Sequence, residues 1–403
     1  MSRLPSALQP AWPLIKRVHR FATLVLGVIN RRTSRIFGVR SLPRRATSSA
    51  DQTVALEPAM VSLHRGGDGE DIRRMPPAGH PAGHWVFGAN LEYDVPRRFT
   101  LEITDGTVVG DYGANLTPGG SLDYESSPYF GINGWREHPI FLRARLPAPE
   151  HFEGELLTLS TRGGSDNYYH YLLDVLPRWG VFRETMPGRM PDALYVPSAT
   201  RYQKQFLSML GLDTIPIIET GKHRAVTADK LLVPCIPNPD LVAPRWTIDW
   251  LREQLPTKNT ADAPRRLYLT RGDRPNTRRL VNEQGYLPML EKLGFVRVDP
   301  GSLTVQEQID WFAAAEVIVA PHGAALANLA FCSPGVRVLE LFAPNYVNVC
   351  YWNITENIDG ARYRYLVGGK PDARPLGSPM NGVLTDIEIK RDTFVSALED
   401  LLS

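Results

Sequence analysis

One segment of the sequence carries three polar side chains whose types and spacing could move a proton. Residues 165–179 have the sequence SDNYYHYLLDVLPRW, which places Asn167, His170 and Asp174 at i, i+3 and i+7. On a helix this spacing puts all three side chains on one face. An adjacent His and Asp can form a general base, because one group takes a proton while the other orients it or balances its charge.

The same segment also permits a structural interpretation. Its other face is apolar, so the polar residues could simply form the exposed side of an ordinary amphipathic helix. Ser165 or Asp166 is expected to cap this helix. Arg178 follows Asp174 by four residues and is expected to pair with it. The pattern therefore leaves a catalytic and a structural role open for this helix.

A second segment predicts a binding site for phosphate. Residues 317–331, VIVAPHGAALANLAF, indicate a buried strand, a tight turn at His322 and a helix that begins after Gly323. A glycine turn between strand and helix points backbone N–H groups at a ligand above the sheet edge, which suits a diphosphate. The next predicted strand, 336–342, carries Glu340, which could hold ribose hydroxyls. Together they indicate a nucleotide-linked ligand, although a structural His322 and a Glu340 paired with arginine remain alternatives.

Arginines follow the predicted strand 266–270. Arg271 lies at the carboxyl end of this strand, the position that His322 has on its own strand, and it can clamp a phosphate through paired N–H groups. Arg278 and Arg279 follow closely, whereas Arg274 is interpreted as part of a solvated, charged loop.

The elements that must position these residues alternate between strand and helix. This alternation extends from about 155 to 233 and again from 266 to 342, and is typical of parallel sheets with both faces covered. Ligands of such sheets bind beyond the carboxyl ends of the strands, where Arg271 and His322 are expected. The sequence thus predicts an α/β fold with a site at the edge of the second sheet.

Three further regions flank this alternation. Between 84 and 147, short apolar runs such as Trp85–Phe87 and Phe99–Ile103 predict a small β-rich decoration. Residues 31–80 lack apolar periodicity and are interpreted as linker. Phe394–Leu402 predicts a terminal helix.

Composition narrows the class of protein. The chain has 403 residues, 43% of them hydrophobic and 22% charged, as in soluble globular proteins. Its three cysteines have no paired spacing, which argues against a disulfide framework and a zinc site and for a reducing compartment. No Asp-x-Asp, P-loop or G-x-G-x-x-G motif occurs, which disfavours metal-dependent sugar transfer, kinase and dinucleotide chemistry. No nucleic-acid-binding module is visible, so no nucleic-acid partner is expected.

The excess of basic over acidic residues lies in the amino-terminal arm. Residues 1–50 contain ten Lys or Arg and no acid, whereas the other 353 contain 35 basic and 43 acidic residues. Apolar residues from Leu14 to Ile29 recur at helical spacing, but the uncharged run Phe21–Asn30 is shorter than the roughly 20 residues that span a bilayer. We interpret residues 11–45 as a basic amphipathic segment that lies on an anionic membrane surface. A disordered basic tail and an incorrectly assigned start codon are the alternatives.

Several separated motifs together resemble glycosyltransferase family 61, which includes bacterial capsular-polysaccharide-type transferases. They are NYYHYLLDVLPR at 167–178, YLTR at 268–271 with RR at 278–279 and NE at 282–283, PHGAALAN at 321–328, and PG at 334–335 with LELF at 339–342. The resemblance covers roughly residues 84–350.

The resemblance implies a GT-B-type fold, in which two Rossmann-like domains face a cleft. The domains would be 81–251 on the acceptor side and 266–350 on the nucleotide-sugar side, joined by the linker 252–265. An arm and linker (1–80) would precede them and an extension (351–403) would follow.

The resemblance also implies inverting, metal-independent transfer of a sugar from a nucleotide-sugar donor, often UDP-linked, to a glycan or polysaccharide acceptor. No separate cofactor is expected, and a cytoplasmic location at the membrane face fits a bacterial-type enzyme. Asp174 or His170 would be the base, and Asp166 is a third possibility. Donor contacts are expected from Arg271, His322, Gly323, Ala324, Asn328 and Glu340, and acceptor-side or supporting roles from Asp166, Asn167, Arg178 and Arg279.

Two other functions fit the same architecture. A nucleotide-sugar epimerase would release an altered sugar from the donor without an acceptor. A non-catalytic glycan- or nucleotide-binding partner in polysaccharide assembly would bind ligand and turn nothing over.

Overall fold

The computed structural model describes residues 12–272, 278–344, 346–369 and 385–403. Its strands are β1 (Arg45–Thr47), β2 (Val61–Gly66), β3 (Glu70–Arg73), β4 (Ala78–His80), β5 (Glu92–Val95), β6 (Arg98–Val109), β7 (Ala114–Leu116), β8 (Ser121–Asp123), β9 (Glu150–Thr158), β10 (Ala193–Val196), β11 (Ile217–Glu219), β12 (Ala225–Pro234), β13 (Arg266–Leu269), β14 (Val296–Val298), β15 (Val317–Pro321), β16 (Arg337–Phe342) and β17 (Arg362–Val367).

The helices alternate with these strands over most of the chain. They are α1 (Trp12–Thr33), α2 (Ala50–Leu56), α3 (Trp85–Gly88), α4 (Tyr168–His170), α5 (Leu176–Thr185), α6 (Arg201–Met209), α7 (Arg245–Gln254), α8 (Glu283–Lys292), α9 (Val305–Ala314), α10 (Cys350–Thr355) and α11 (Arg391–Leu402). A π-helical turn, Tyr171–Val175, joins α4 to α5, and a 3-10 helix, Ala324–Phe331, follows β15.

The first sheet is mixed. Its strand order is β1-β8-β7-β6-β12-β9-β10-β11, and β2 pairs with β6. The strands β12, β9, β10 and β11 run parallel, whereas β6 pairs with β12 and with β7 in antiparallel register. The parallel part carries the predicted strand–helix alternation, and the antiparallel part is the β-rich decoration.

The second sheet is wholly parallel, in the order β14-β13-β15-β16-β17-β4. Its central strand β15 is buried along its whole length, as its apolar sequence predicts. One face packs α8 and α11 through Tyr286 and Phe394. The α/β fold is therefore confirmed.

Apolar side chains of both sheets belong to one contiguous core. Leu157 of β9 and Ile318 of β15 lie in the same cluster of contacting buried residues, together with Leu172 of the π-helical turn and Trp352 of α10. The two sheets are thus packed through shared helices. The division into two Rossmann-like domains of the GT-B type stays a prediction.

Three expectations about the amino-terminal half were wrong. Residues 31–80, interpreted as linker, form β1 to β4 and α2, and β4 pairs with β17 of the second sheet. Trp85–Phe87 is a short helix because Phe87 is buried against Tyr365 and Trp352. The pair Asp105-Gly106, which as a sequence favours a turn after the run Phe99–Ile103, lies inside the single long strand β6, where Asp105 has a positive φ.

The predicted helix of the arm is present as α1. Among the described residues, no helix combines the length and apolar character needed to cross a membrane. The first part of the arm, residues 1–11, lies outside the described residues, as do Arg274 and residues 370–384 of the carboxyl-terminal extension. The helix predicted at the end of that extension is confirmed as α11.

Candidate active site

A cavity of about 510 Å³ opens where α4 faces the carboxyl ends of the second sheet. Seven of the predicted site residues line it: Asp166, Asn167, His170, Arg271, His322, Gly323 and Ala324. The remaining five, which are Asp174, Arg178, Arg279, Asn328 and Glu340, do not line it. The two chemical segments found in the sequence therefore meet in one cleft.

His170 and Asp174 form a hydrogen-bonded pair at the wall of this cleft. Nδ1 of His170 lies 2.7 Å from Oδ2 of Asp174, and Oδ1 of Asp174 accepts a hydrogen bond of 2.7 Å from Asn238. Asp174 accepts a hydrogen bond from the Nδ1–H group of His170. In the neutral imidazole Nε2 is therefore the nitrogen that can accept a proton. Asp174 is only 7% exposed, so the alternative of an exposed polar helix face is wrong.

The local backbone positions this pair. The helix passes into a π-helical turn at Tyr171–Val175, a distortion that is common at functional sites. The residues Leu172, Leu173 and Val175 of this turn are completely buried and hold it against the core. This packing prevents the helix from rotating about its axis, so the side chain of His170 stays at the wall of the cleft.

An aromatic stack packs against the outer face of His170. The ring of Phe130 lies 4.9 Å from the imidazole at an interplanar angle of 13°. The guanidinium of Arg162 lies 4.0 Å from the Phe130 ring and 3.6 Å from the Tyr129 ring. The stack of Arg162 on Phe130 and of Phe130 on His170 limits the imidazole to small movements in its own plane. This stack could not be predicted from the sequence, because residues 129–130 are distant from His170 in the chain.

The opposite wall of the cleft is built around His322. Nδ1 of His322 lies 2.5 Å from Oε1 of Glu340, and Tyr363 donates to Oε2 of the same carboxyl group. The imidazole is enclosed by Phe342 at 5.1 Å and Tyr351 at 4.9 Å between ring centroids. This packing fixes the orientation of the His322 ring.

Burial sets the protonation of this pair. It lowers the pKa of His322 well below its ordinary value, with Arg278 and Arg271 lowering it further, and raises the pKa of Glu340 well above its ordinary value. Both shifts favour uncharged groups, so we describe Glu340 as a carboxylic acid that donates to Nδ1. Nε2 of His322 then carries the ring hydrogen and is a donor for a ligand oxygen.

The expected contact of Glu340 with a ribose is wrong in this geometry. Glu340 is completely buried behind His322, and both its oxygens are used by His322 and Tyr363. Its role is to orient His322. An acid that does line the cavity is Asp299, at the carboxyl end of β14, which the sequence analysis did not single out.

Arg271 extends directly over Gly323. A Cβ atom placed on Gly323 would lie 1.8 Å from Nη1 of Arg271, so the guanidinium occupies the space that a side chain would need. Gly323 has an extended backbone, with φ of −174°, and precedes the 3-10 helix. The first N–H groups of that helix, which include that of Ala324, have no intrahelical partners and adjoin the guanidinium. Together they form a positive cradle suited to a diphosphate.

The two arginines that follow have different roles. Arg278 lines the cavity, its Nε donates to the carbonyl of His322 at 3.1 Å, and its guanidinium lies 5.0 Å from the Tyr346 ring. Arg279 instead binds Asp386 through its backbone N–H and side chain, at 3.1 and 3.0 Å. Arg278 thus adds positive charge to the cleft, and Arg279 holds the carboxyl-terminal segment.

Asn328 joins the two walls rather than lining the cavity. Its Oδ1 accepts a hydrogen bond of 2.8 Å from Tyr168 of α4, and its Nδ2 donates to Gln308 at 2.9 Å. Tyr169 and Tyr351 also meet across the cleft, with ring centroids 5.8 Å apart. These contacts fix the distance between the His170 wall and the His322 wall.

Two expectations about α4 and α5 need correction. Asn167, not Ser165 or Asp166, is the N-cap of α4, and its side chain accepts from the N–H of Tyr169. Arg178 does not pair with Asp174 but donates to the carbonyls of Ser160 and Pro234. The difference at Arg178 arises because the π-helical turn, which contains Asp174, changes the register of the helix surface.

In the described parts of the chain, no group of three or more His, Cys, Asp or Glu side chains is placed to hold a metal ion. Three arginines, Arg201, Arg271 and Arg278, line the cleft and give it positive charge. Metal-independent chemistry stays a prediction.

The fold and the cleft define an α/β protein with a cationic cradle opposite a His–Asp pair. Residues 168–339 match the sequence model of the family described as Glycosyltransferase 61. The match assigns residues 168–339 to glycosyltransferase family 61 and supports a glycosyltransferase as the class of this protein. The match includes His170, Asp174, Arg271 and His322 and ends one residue before Glu340. No curated protein is significantly similar to the chain in sequence.

Proposed function

We propose that the protein is an inverting, metal-independent glycosyltransferase that moves a sugar from a UDP-linked donor to a glycan or polysaccharide acceptor. One observation carries the proposal: a single cleft places the His170–Asp174 pair opposite the cradle of Arg271 and His322. A transferase needs both parts, because one must accept the proton of the acceptor hydroxyl and the other must hold the departing diphosphate.

The reaction is a single displacement. The proton of the acceptor hydroxyl moves to Nε2 of His170 as the hydroxyl oxygen forms a bond to the anomeric carbon. The bond from that carbon to the diphosphate oxygen breaks, and its electron pair leaves with the nucleoside diphosphate. Attack from the face opposite the leaving group inverts the configuration.

His170 suits the role of base better than Asp174 does. Both oxygens of Asp174 already accept hydrogen bonds, from His170 and from Asn238, and the carboxyl group does not line the cavity. Its position instead allows it to balance the charge of the imidazolium that forms. Asp166 lines the cavity too and is the alternative base that a substitution must test.

The leaving group is stabilised by donors that are fixed before the reaction. Arg271 and Arg278 supply positive charge, and Nε2 of His322 and the N–H groups around Ala324 supply hydrogen bonds. The rigidity of His322, which results from Glu340 and the surrounding aromatic rings, keeps this donor aligned. Such prearranged donors act on charge that grows in the transition state, so they raise turnover as well as affinity.

The proposal is tested with donor binding and nucleotide release measured on the same proteins. Full-length protein is incubated with UDP-sugars and glycan acceptors, and release of UDP is followed for wild type, His170→Ala, Asp166→Asn and the control Asp249→Asn. Asp249 pairs with Arg245 on the surface of α7 and does not line the cleft. We expect His170→Ala alone to lose release while keeping donor binding. Equal release by His170→Ala and wild type would contradict the assignment, and release without an acceptor would favour an epimerase or hydrolase.

A location at the cytoplasmic face of a membrane is part of the same proposal. Cys235, Cys332 and Cys350 are buried free thiols, which suits a reducing compartment. The basic arm suits an anionic inner leaflet. Fractionation of cells that express the full chain tests this location.

A further inference from the structure

The helix α1 lies on the protein with its polar side inward. Thr23 and Gly27 are buried against the body of the molecule, and so is Ser34 just after the helix. Phe21, by contrast, is 71% exposed. An amphipathic helix on a soluble protein ordinarily has the opposite orientation, with its apolar face toward the core.

Specific contacts fix this orientation. Arg20 pairs with Glu137, and Asn30 donates to the carbonyl of Phe141 at 3.3 Å. The guanidinium of Arg31 lies 5.1 Å from the rings of both Trp135 and Phe141. These polar and cationic contacts hold the inner side of α1 to the 3-10 turns at 135–142, so the apolar side must face away.

The outward apolar side is continuous beyond the helix. Ile36 and Val39, in the turn that follows α1, are 82% and 83% exposed. With these two, the surface that we call the outer stripe also includes exposed residues of α1: Val18, Phe21, Val25, Leu26 and Ile29. No described residue of the chain covers it. A connected apolar surface of this kind marks an interaction site rather than ordinary surface variation.

The charges beside the outer stripe indicate its partner. Arg17, Arg32 and Arg35 are exposed next to it, and residues 1–50 contain no acidic side chain. A second copy of the chain would bring two sets of like charges together, which opposes self-association. A membrane with anionic lipids offers the matching combination, namely an apolar interior for the stripe and negative headgroups for the arginines.

We propose that the outer stripe inserts into the headgroup and upper acyl region of an anionic bilayer, with α1 parallel to the membrane plane. Because α1 is held to the body at Glu137 and Phe141, this anchoring also fixes one side of the folded protein against the membrane. The enzyme thereby binds the bilayer as a monotopic protein. The inference does not depend on the identity of the donor or the acceptor.

Co-sedimentation of the full chain with vesicles tests this proposal. The vesicles are phosphatidylcholine alone or phosphatidylcholine with about 30% phosphatidylglycerol, an anionic lipid. The apolar variant is Phe21→Gln with Ile36→Gln, and the charge variant is Arg32→Gln with Arg35→Gln. A matched control, Met75→Gln with Met190→Gln, removes two exposed apolar side chains outside the arm. None of the substituted side chains lines the cleft. Far-UV circular dichroism and the melting temperature, which do not depend on the proposed donor, serve as the test of folding.

We expect wild type and control to bind the anionic vesicles, and the apolar variant to partition at least about tenfold more weakly. The charge variant should lose most of the preference for phosphatidylglycerol, and added salt should have the same effect. Absence of wild-type binding to the anionic vesicles, or an apolar variant that binds as well as wild type, would overturn the proposal. A concentration-dependent dimer that the apolar variant abolishes would overturn it as well, in favour of self-association.

Discussion

Substitution of Gly323 by alanine should remove the proposed phosphate contact of Arg271 without unfolding the protein. The added Cβ would lie 1.8 Å from Nη1 and 3.0 Å from Cζ of Arg271, distances at which atoms overlap. Gly323 has an extended backbone that alanine also adopts, so the backbone is not strained. The flexible end of Arg271 therefore moves, and the rest of the fold stays in place.

The size of the effect follows from the contact that is lost. A hydrogen bond between a charged arginine and a phosphate contributes about 1.5–3 kcal/mol. We therefore expect Gly323→Ala to weaken binding of UDP roughly 10- to 150-fold. Its melting temperature should stay near that of wild type, because the displaced atoms are at the end of a side chain.

A double-mutant cycle isolates the mechanism. If Gly323→Ala acts only through Arg271, adding it to Arg271→Ala should change the binding of UDP by less than about 0.5 kcal/mol. Gly285→Ala in α8 is the matched control, because a Cβ atom there meets open space. Calorimetry on the four proteins of the cycle gives the answer. Normal affinity of Gly323→Ala for UDP, or additive losses in the double variant, would show that Gly323 does not act through Arg271.

Four further outcomes are expected. Asp174→Asn should lower kcat about 10²- to 10⁴-fold in the UDP-release assay while donor affinity is kept, because the imidazolium loses its counter-charge; an unchanged kcat would contradict this. Burial lowers the pKa of His138 to about 3 in the folded protein. The unfolded chain therefore binds a proton at His138 more readily than the folded protein does, and stability falls as the pH drops below the unfolded pKa of about 6.5. Denaturant unfolding at pH 6.5 and 4.5 should show a loss of about 2.3 kcal/mol, and His138→Asn, which can keep the cap to Ile140, should remove that loss. Arg178→Met should lower the free energy of unfolding by about 1–3 kcal/mol in denaturant titrations, because two buried carbonyls lose their donor. Glu340→Ala should weaken pyrophosphate and UDP equally in calorimetry, whereas a ribose contact would spare pyrophosphate.

Four of the six strands of the second sheet, β13 to β16, could be predicted from the sequence. Strands β15 and β16 are buried on both faces, so their apolar sequences give a strong local signal. The spacing Thr304-x-x-Glu307 is the sequence signature of a capping box, and these two residues do form one at the start of α9. Such elements are encoded locally, because neither a long-range partner nor an unusual backbone is needed to recognise them.

Elements that depend on distant partners could not be predicted. The strand β4 is three residues long and exists because it extends the second sheet beside β17, far away in the sequence. The short helix α3 follows from the burial of Phe87 among aromatic rings of the second half. Propensity is a weak guide at such positions, because tertiary contacts decide the conformation.

The candidate site was partly predictable for the same reason. His170, Asp174, Arg271 and His322 stand out because helical spacing and strand ends indicate where their side chains point. The residues that hold this site in place come from distant parts of the chain. Phe130 stacks on His170, and Asn238 donates a hydrogen bond to Asp174. Tyr363 donates a hydrogen bond to Glu340, the partner of His322. Glu340 was misassigned because a strand position does not reveal that a buried histidine uses its carboxyl group.

The most direct test of the central claim is calorimetry of UDP binding in the presence of EDTA, on full-length wild type, Asp174→Asn and Arg271→Ala. We expect wild type and Asp174→Asn to bind UDP with the same affinity without metal, and Arg271→Ala to bind at least about tenfold more weakly. No binding of UDP by wild type without metal, or equal binding by Arg271→Ala, would contradict the assignment of the cleft as a metal-independent donor site.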